Sequence, residues 1–502
     1  MPKRSGLLVL VGLLYLPAFS RYDVGSIVDD ARYILGAQSL AQGDYRTLDT
    51  PTSAPLTDPL PGYPLFLVPF VQAVQPHWAA LKVLSFLLTL ASAAMVYALL
   101  APWLSAPLAL WTAALYAANP TTVNFSITVM SEPCFLFFVL AIFLLWRKAQ
   151  TSPSRSLPWL IGALVGWAAL IRPQGIVLIP SLAFGAWVTR QWRVSLKIGA
   201  MALAIWGAVL ARNYLVAHTL TGYVENWANV FRHLPEGTSA LSALGLQAWH
   251  AMRTLFAATV LPAPYLAPFK LIRPAYGAVV VAIAVIAIYG ARRFMREESQ
   301  RPLRVALVTF CVLYSVVQAA WPVLLPRYFL AILPFVLGFF VVGLFALPLS
   351  PRVRHARPVI LAFLLVAEVG QTMYAHHYMN THPKASAALP HAAFEWVRRS
   401  TPRDAVLLTP EGPVVYLYTQ RHCVYGYGPR NAEEWHAQLA AIGVRYVFYK
   451  ANAILSMRME TGNPSDAESV WERAHAWMAS RPDLFPVMYE NAAESATVYG
   501  VY

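Results

Sequence analysis

The run Asp29-Asp30-Ala31-Arg32-Tyr33 puts two carboxylates, a guanidinium and a phenol next to one another, at the head of an amphipathic stretch that continues through Leu40 to Gly43. On a helix, Asp29, Arg32 and Tyr33 stand at i, i+3 and i+4 and share a face. A carboxylate there can take a proton in a transfer reaction. A guanidinium beside it can hold a phosphate or carboxylate by paired hydrogen bonds. The same spacing also fits a plain helix start, with Asp29 or Asp30 capping and its charge set against the positive end of the helix dipole.

Three more positions carry similar chemistry. Glu132, in Ser131-Glu132-Pro133, opens an apolar run, either as a first-turn carboxylate or as a second acid of a site. Arg172-Pro173 marks the tip of a hairpin between two apolar runs, and Arg327-Tyr328 opens another run. An arginine at such a place either snorkels to the membrane interface or binds an anion. The long loop 217–272 is aromatic and mildly basic (Tyr223, Trp227, Arg232, His233, Trp249, Arg253, Tyr265, Lys270) but carries no motif. Glu368 sits inside an apolar run, where it reads as a polar contact within a bundle.

The elements that position these residues follow from composition. Of 502 residues, 58% are hydrophobic and 12% charged, against roughly 25% charged in soluble domains. With a mean hydropathy of +0.50, too little polar surface remains to cover a soluble globule, and a bilayer is the solvent that fits. The net charge of +14 does not point to nucleic acid, because the basic residues sit in short clusters between apolar runs, as in cytoplasmic loops. Cys134 and Cys311 lie in apolar runs and Cys423 stands alone, so neither a disulfide framework nor a metal site can be read.

A spanning helix needs about 20 apolar residues. Runs at 80–101, 198–216, 274–290, 304–321, 327–348 and 358–375 qualify, with shorter or Pro-bounded runs at 6–20, 106–120, 132–147, 157–171 and 174–189. Ala18-Phe19-Ser20 also has the form of a signal cleavage site. The other spans make a separate export signal unnecessary, so 6–20 reads as a first span. The run 63–75 is broken by Pro64 and Pro69 and reaches only about 20 Å at ~1.5 Å per residue. Basic clusters at Lys3/Arg4, Arg147/Lys148/Arg155, Arg190/Arg193/Lys197, 292–304 and Arg352/Arg354/Arg357 belong on the cytoplasmic side. The acidic segment 23–58 lies outside, and an odd number of crossings must separate it from Arg147. That makes 63–75 a re-entrant or interfacial helix and leaves about 11 transmembrane helices. The N-terminus is then cytoplasmic, and Asp29, Glu132, Arg32, Arg172 and Arg327 share the extracytoplasmic face.

The chain therefore reads as a polytopic α-helical membrane protein of the plasma (inner) membrane. A transmembrane domain, 1–375, has outer loops 21–79 and 217–272, and a small extracytoplasmic α/β domain occupies 376–502. Within that domain, 406–409, 414–418 and 444–449 read as strands, and 392–399 and 433–442 as helices.

These residues, in this order, resemble the GT-C glycosyltransferases of the protein-mannosyltransferase and aminoarabinose-transferase type. Asp29-Asp30-Ala31-Arg32-Tyr33 with Ala41-Gln42-Gly43 resembles the family's first-loop motif, with Asp30 where a Glu is common. Pro61-Gly62-Tyr63-Pro64-Leu65-Phe66 resembles its PPGYPLF segment. Ser131-Glu132-Pro133, Arg172-Pro173 and Arg327-Tyr328-Phe329-Leu330 with Pro334 are similar to three later motifs. The similarity spans roughly 5–350, and the last 120 or so residues are only loosely similar to the family's variable outer domain. Where aminoarabinose transferases have a Lys before the conserved Pro, this chain has Asp58-Pro59 or Leu60-Pro61.

The resemblance implies an enzyme that moves a sugar from a polyprenyl-phosphate carrier to a lipid, glycan or protein acceptor on the outer face. Asp29 would be the catalytic base, with Asp30 beside it and Glu132 as the second acid. Arg32, Tyr33, Arg172, Arg327 and Tyr328 would bind the donor and its phosphate. A divalent metal is compatible but not required, since guanidinium groups can neutralise the leaving phosphate. The lipid bilayer is the other expected partner. A transporter or flippase, or a non-catalytic assembly factor, is the competing reading. The first would place ionisable residues along a mid-span pathway; the second would leave Asp29 and Glu132 dispensable.

Overall fold

The computed structural model describes residues 14–20, 22–152, 154–223, 240–260, 273–321, 325–350, 354–381, 388–425, 432–451 and 465–501. By contacts the chain divides into two compact units, one of 1–21 with 80–381 and the other of 22–79 with 382–502.

The first unit is helical. Six helices among the described residues are long and apolar enough to cross a membrane, including Trp78–Leu100, Ser131–Thr151, Arg301–Ala319 and Ala356–His377. Shorter apolar helices occupy Ala106–Ala118, Leu157–Ile171 and Leu333–Ala346. Run 174–189 forms a 3-10 turn, Pro173–Val177, leading into Leu178–Val188. Most of run 6–20 lies outside the described residues. Close helix approach rests on small residues: a Cβ on Gly290 would lie 1.8 Å from the Phe339 carbonyl, and one on Gly343 2.0 Å from that of Ile286. Backbones that near admit only glycine, a common basis of helix packing in membranes.

Loop 217–272 and the segment between runs 106–120 and 132–147 contain helices. Ala240–Val260 lies within 217–272; its apolar content is too interrupted for a span by hydropathy alone. Trp227, Arg232, His233, Tyr265 and Lys270 lie outside the described residues. Pro120–Ser126 lies within 119–132, where the Asn119 side chain accepts the Thr121 N–H at 3.0 Å and Pro120 supplies a preset first turn.

The second unit joins the first loop to the C-terminal region. Helix Asp29–Ala41 packs on helix Gly62–Val74, where Gly36 admits Pro64: a Cβ on Gly36 would meet the proline ring at 3.3 Å. Gly62–Val74 has 13 residues, about 20 Å, with Pro69 inside it. The C-terminal region forms a five-stranded mixed sheet in the order β2-β1-β3-β5-β4, with β1 Val406–Leu408, β2 His422–Val424, β3 Val444–Lys450, β4 Val487–Asn491 and β5 Ala496–Gly500. β1 runs parallel to β2 and β3, while β5 runs antiparallel to β3 and β4. Helices Ala432–Ala441 and Ser465–Ser480 cover one face around Trp435, Trp471, Met478 and Phe485, all 5% exposed or less.

Run 414–418 is not a strand. It lies in helix Gly412–Thr419, whose start carries Pro413 in the first turn. A short Val-rich apolar run fits a buried strand or a buried helix equally, and the Gly-Pro start decides for the helix. This helix packs on Asp29–Ala41. The contact division also differs from a boundary at 375, because the C-terminal region holds the first loop by direct bonds. The Tyr418 hydroxyl donates to the Val24 carbonyl at 2.7 Å, the Leu389 N–H to the Asp23 carboxylate at 3.0 Å, and the Cys423 N–H to the Asp49 carbonyl at 2.6 Å.

Candidate active site

The predicted residues fall into two clusters, one in each unit. In the helical unit, Glu132 stands in the first turn of Ser131–Thr151, 3% exposed. Arg172 ends Leu157–Ile171 in an extended conformation, and its guanidinium lies 2.7 Å from the Glu132 carboxylate and donates to the Ser131 hydroxyl at 3.1 Å. Gly175 makes this delivery possible: a Cβ there would lie 2.6 Å from the Ala168–Ala169 backbone, so the turn folds tightly against the helix end. Arg327, in the 3-10 turn Pro326–Phe329, approaches the same Glu132 oxygen at 3.7 Å. The Tyr328 ring faces both guanidinium groups, 5.3 Å from Arg172 and 5.2 Å from Arg327. The Tyr314 hydroxyl donates to the Tyr328 carbonyl at 2.8 Å and fixes that turn.

Both guanidinium groups approach the one Glu132 carboxylate, with Arg172 8% and Arg327 5% exposed. The cluster thus brings two buried guanidinium groups, the donors by which an anion can be held, to one carboxylate. Tyr314 is a contributor that sequence reading missed, because a tyrosine inside an apolar run carries no signal by itself.

In the second unit, helix Asp29–Ala41 starts after Val28, whose φ of +22° is a conformation that β-branched residues rarely adopt. Asp29 and Arg32 pair at 3.8 Å, with side chains 22% and 50% exposed. Tyr33 is 9% exposed and packs edge-on against Tyr63, ring centroids 4.9 Å apart. Asp29 and Arg32 are thus the more accessible members of the trio, while Tyr33 joins the motif helix Gly62–Val74 to this one.

Asp30 points inward. It is 1% exposed and accepts the Gly25 N–H at 2.8 Å and the Ala31 N–H at 2.9 Å. Burial, opposed by those hydrogen bonds, raises its pKa to about 7, and Asp29 adds to the rise. Neither aspartate caps the helix, whose N-cap position is Val28 without a side-chain cap hydrogen bond; Asp30 instead ties the preceding loop to the first turn through Gly25. Burial also raises Glu411, which begins the turn into Gly412–Thr419, to about 7, with Asp30 contributing.

Glu368 is 1% exposed in helix Ala356–Thr381 and accepts from the Asn119 amide at 3.3 Å. That is the bundle contact expected of it, and Asn119 is the partner the sequence did not name. Among the described residues no three His, Cys, Asp or Glu side chains gather as a metal site would require.

Residues 59–212 match the family model described as dolichyl-phosphate-mannose-protein mannosyltransferase. No curated protein matches the chain by sequence. Among solved structures, the chain is similar to ArnT from Cupriavidus metallidurans in the apo state (12% identity, 99% of this chain and 97% of that one, TM-score 0.56). It is similarly related to the same protein bound to undecaprenyl phosphate (14% identity, TM-score 0.55). The archaeal oligosaccharyltransferase AglB from Archaeoglobus fulgidus, in complex with an inhibitory peptide and a dolichol-phosphate, matches at 12% identity over 99% of this chain and 74% of that one, with a TM-score of 0.56. At these identities the likeness is one of fold.

Proposed function

This chain is a polytopic membrane protein with the GT-C fold, and from that premise we propose that it transfers a sugar from a polyprenyl-phosphate carrier to an acceptor on the extracytoplasmic face. The observation that carries the proposal is the buried Glu132–Arg172–Arg327 cluster, in which two guanidinium groups gather at one carboxylate. A phosphate monoester on an isoprenoid is the anion such a receptor suits. Two neighbours in the fold hold molecules of that kind, undecaprenyl phosphate in one and a dolichol-phosphate in the other. Nucleotide sugars are not available outside the membrane, so an outer-face transferase needs a donor carried across on a lipid.

In the proposed reaction the acceptor hydroxyl oxygen attacks the sugar's anomeric carbon as the bond from that carbon to the carrier phosphate breaks, with inversion. The proton goes to the Asp29 carboxylate and the electron pair of the broken bond to the phosphate. A positioned general base contributes roughly 10²–10⁴-fold. Arg172 and Arg327, backed by the Tyr328 ring, stabilise the charge that grows on the leaving phosphate in a site of low polarity. Arg32 and Tyr33 complete the binding of the donor. Glu132 holds the two arginines in place, and Asp30 holds the start of the helix that presents Asp29. The orientation follows from the basic loops, with the N-terminus cytoplasmic and 376–502 outside. The sugar is a hexose or pentose, and the acceptor a lipid, glycan or protein.

The test is release of polyprenyl phosphate by purified protein from a panel of lipid-linked monosaccharides. Wild type should release it from at least one donor. Asp29→Asn should lose at least 100-fold in rate while unfolding at the same temperature. Activity within a few-fold of wild type in that variant would sink the assignment.

A further inference from the structure

From Pro133 to Val224 the chain carries no Asp or Glu. Three helices of this stretch bring cations to one end. Leu157–Ile171 and Trp192–Ala217 lie side by side and run the same way. A Cβ on Gly162 would come 2.6 Å from the Ile198 carbonyl oxygen, and one on Gly166 3.0 Å from that of Ala202. The two contacts advance together along both helices, so Leu157 stands level with Arg193. Leu178–Val188 joins the third helix through the turn 189–191. Arg155, Arg190, Arg193 and Lys197 therefore gather at one end of the group. Trp159, Trp187 and Trp192 stand among them with 40% or more of their surface exposed.

The turn between the second and third helices is built around an arginine. Arg190 has a φ of +56°, its N–H donates to the Trp187 carbonyl at 2.9 Å, and the Gln191 N–H donates to the Ala186 carbonyl at 2.9 Å. Glycine usually fills such a helix stop, so the turn alone does not account for an arginine there. Arg193 lies over the Trp192 ring, 5.4 Å from its centroid. The ring takes the guanidinium face and leaves the N–H edge for an anion. Among the described residues no ion pair joins Arg155, Arg190, Arg193 or Lys197 to a carboxylate. The start of Arg301–Ala319 packs alongside, where a Cβ on Gly185 would lie 2.5 Å from the Pro302 carbonyl oxygen. The acids before it do not reverse the sign. Glu297 pairs with Arg304 at 2.8 Å, and Glu298 lies in sequence between Arg296 and Arg301.

We propose that this end of the three helices binds the headgroup of an anionic glycerophospholipid from the surrounding bilayer. Its guanidinium and ammonium groups meet the lipid phosphate. The exposed tryptophans sit at headgroup level, and Leu160 and Leu196, also exposed, meet the acyl chains. A free phosphate ion would leave that apolar flank without a partner. The inference is independent of sugar transfer. Arg172, which the transfer reading uses, follows the opposite end of Leu157–Ile171, about 22 Å away at ~1.5 Å per residue.

The experiment is native mass spectrometry of the full chain in detergent, offered equal amounts of phosphatidylglycerol and phosphatidylcholine. Wild type is compared with two triple variants. One is Arg190→Gln, Arg193→Gln and Lys197→Gln. The other, Arg292→Gln, Arg293→Gln and Arg296→Gln, removes the same charge from the exposed end of another helix. Wild type should retain phosphatidylglycerol roughly tenfold or more over phosphatidylcholine, since each cation near an anionic lipid surface is worth about fivefold. The first triple variant should lose that preference and the second should keep it. Both should unfold at the wild-type temperature in phosphatidylcholine alone. Arg190→Gln by itself, in an exposed turn, should lose about fivefold, which reads the site even where the triple variant misfolds. Equal retention of the two lipids by wild type, the same loss in both triple variants, or an unchanged preference in Arg190→Gln would overturn the proposal. So would displacement of phosphatidylglycerol by an equal concentration of inorganic phosphate, which would make the patch a site for the free ion.

Discussion

Two adjacent aspartates, Asp29 and Asp30, show how far residue type carries and where environment takes over. One is partly exposed beside Arg32, and the other is sealed under the loop that precedes the helix. Asp30 has a folded pKa of about 7, above its ordinary value of 3.8. A raised acid favours folding when protonated, so its contribution is fully present below pH ~4 and is lost as pH rises towards 7. Glu411 acts in the same direction and window. The protein should therefore lose thermal stability between pH 4 and 7, and Asp30→Asn should flatten much of that slope. A variant with an unchanged slope would contradict the burial of Asp30 as its cause. Glu132 makes a different prediction. Glu132→Ala removes the carboxylate that both guanidinium groups approach, and breaking a buried pair costs about 3–5 kcal/mol. The unfolding temperature should drop, and added polyprenyl phosphate should restore part of it by occupying the exposed cations. No rescue by the phosphate lipid would argue against an anion receptor.

At the scale of elements, the site depends on how tightly turns can fold. Gly175 admits the approach that sets Arg172. Gly175→Val should thus cut phosphate release by more than tenfold by displacing Arg172, with a smaller effect for Gly175→Ala. Activity equal to wild type in the valine variant would show that Arg172 is positioned otherwise. Most helices were legible in the sequence because long apolar runs leave little choice in a bilayer. Strands 406–409 and 444–449 were legible for a related reason, their β-branched and aromatic residues being bounded by turn or charged residues. Run 414–418 was not, because five apolar residues fit either periodicity and only the preceding Gly412-Pro413 discriminates. The helix Ala240–Val260 was hidden by its interrupted hydrophobicity. Of the site, charged residues at run ends could be found individually. Their convergence on Glu132 could not, since it depends on contacts between helices separated in sequence.

At the scale of the whole molecule, the first loop and the C-terminal region form one compact unit despite the more than 300 residues between them. No reading of local pattern shows that, because the bonds concerned, Tyr418 to Val24 and Cys423 to Asp49, end on backbone carbonyls rather than on recognisable partner side chains. The C-terminal region then supports the segment that carries Asp29. A chain ending at residue 381 should show faster proteolysis within 44–58 and lose transfer activity. Intact protection of that segment in the truncated chain would mean that the first loop folds without the C-terminal region.

The central claim is that this membrane protein releases a polyprenyl phosphate from a lipid-linked sugar through Asp29 and the Glu132–Arg172–Arg327 receptor. The most direct measurement is polyprenyl phosphate release from lipid-linked monosaccharides by wild type, Asp29→Asn and Arg172→Ala in parallel. The account predicts release by wild type from at least one donor. It predicts a loss of at least 100-fold in Asp29→Asn with donor binding retained, and weakened donor binding in Arg172→Ala. Folded wild-type protein that releases nothing from any donor, or an Asp29→Asn variant as active as wild type, would contradict it.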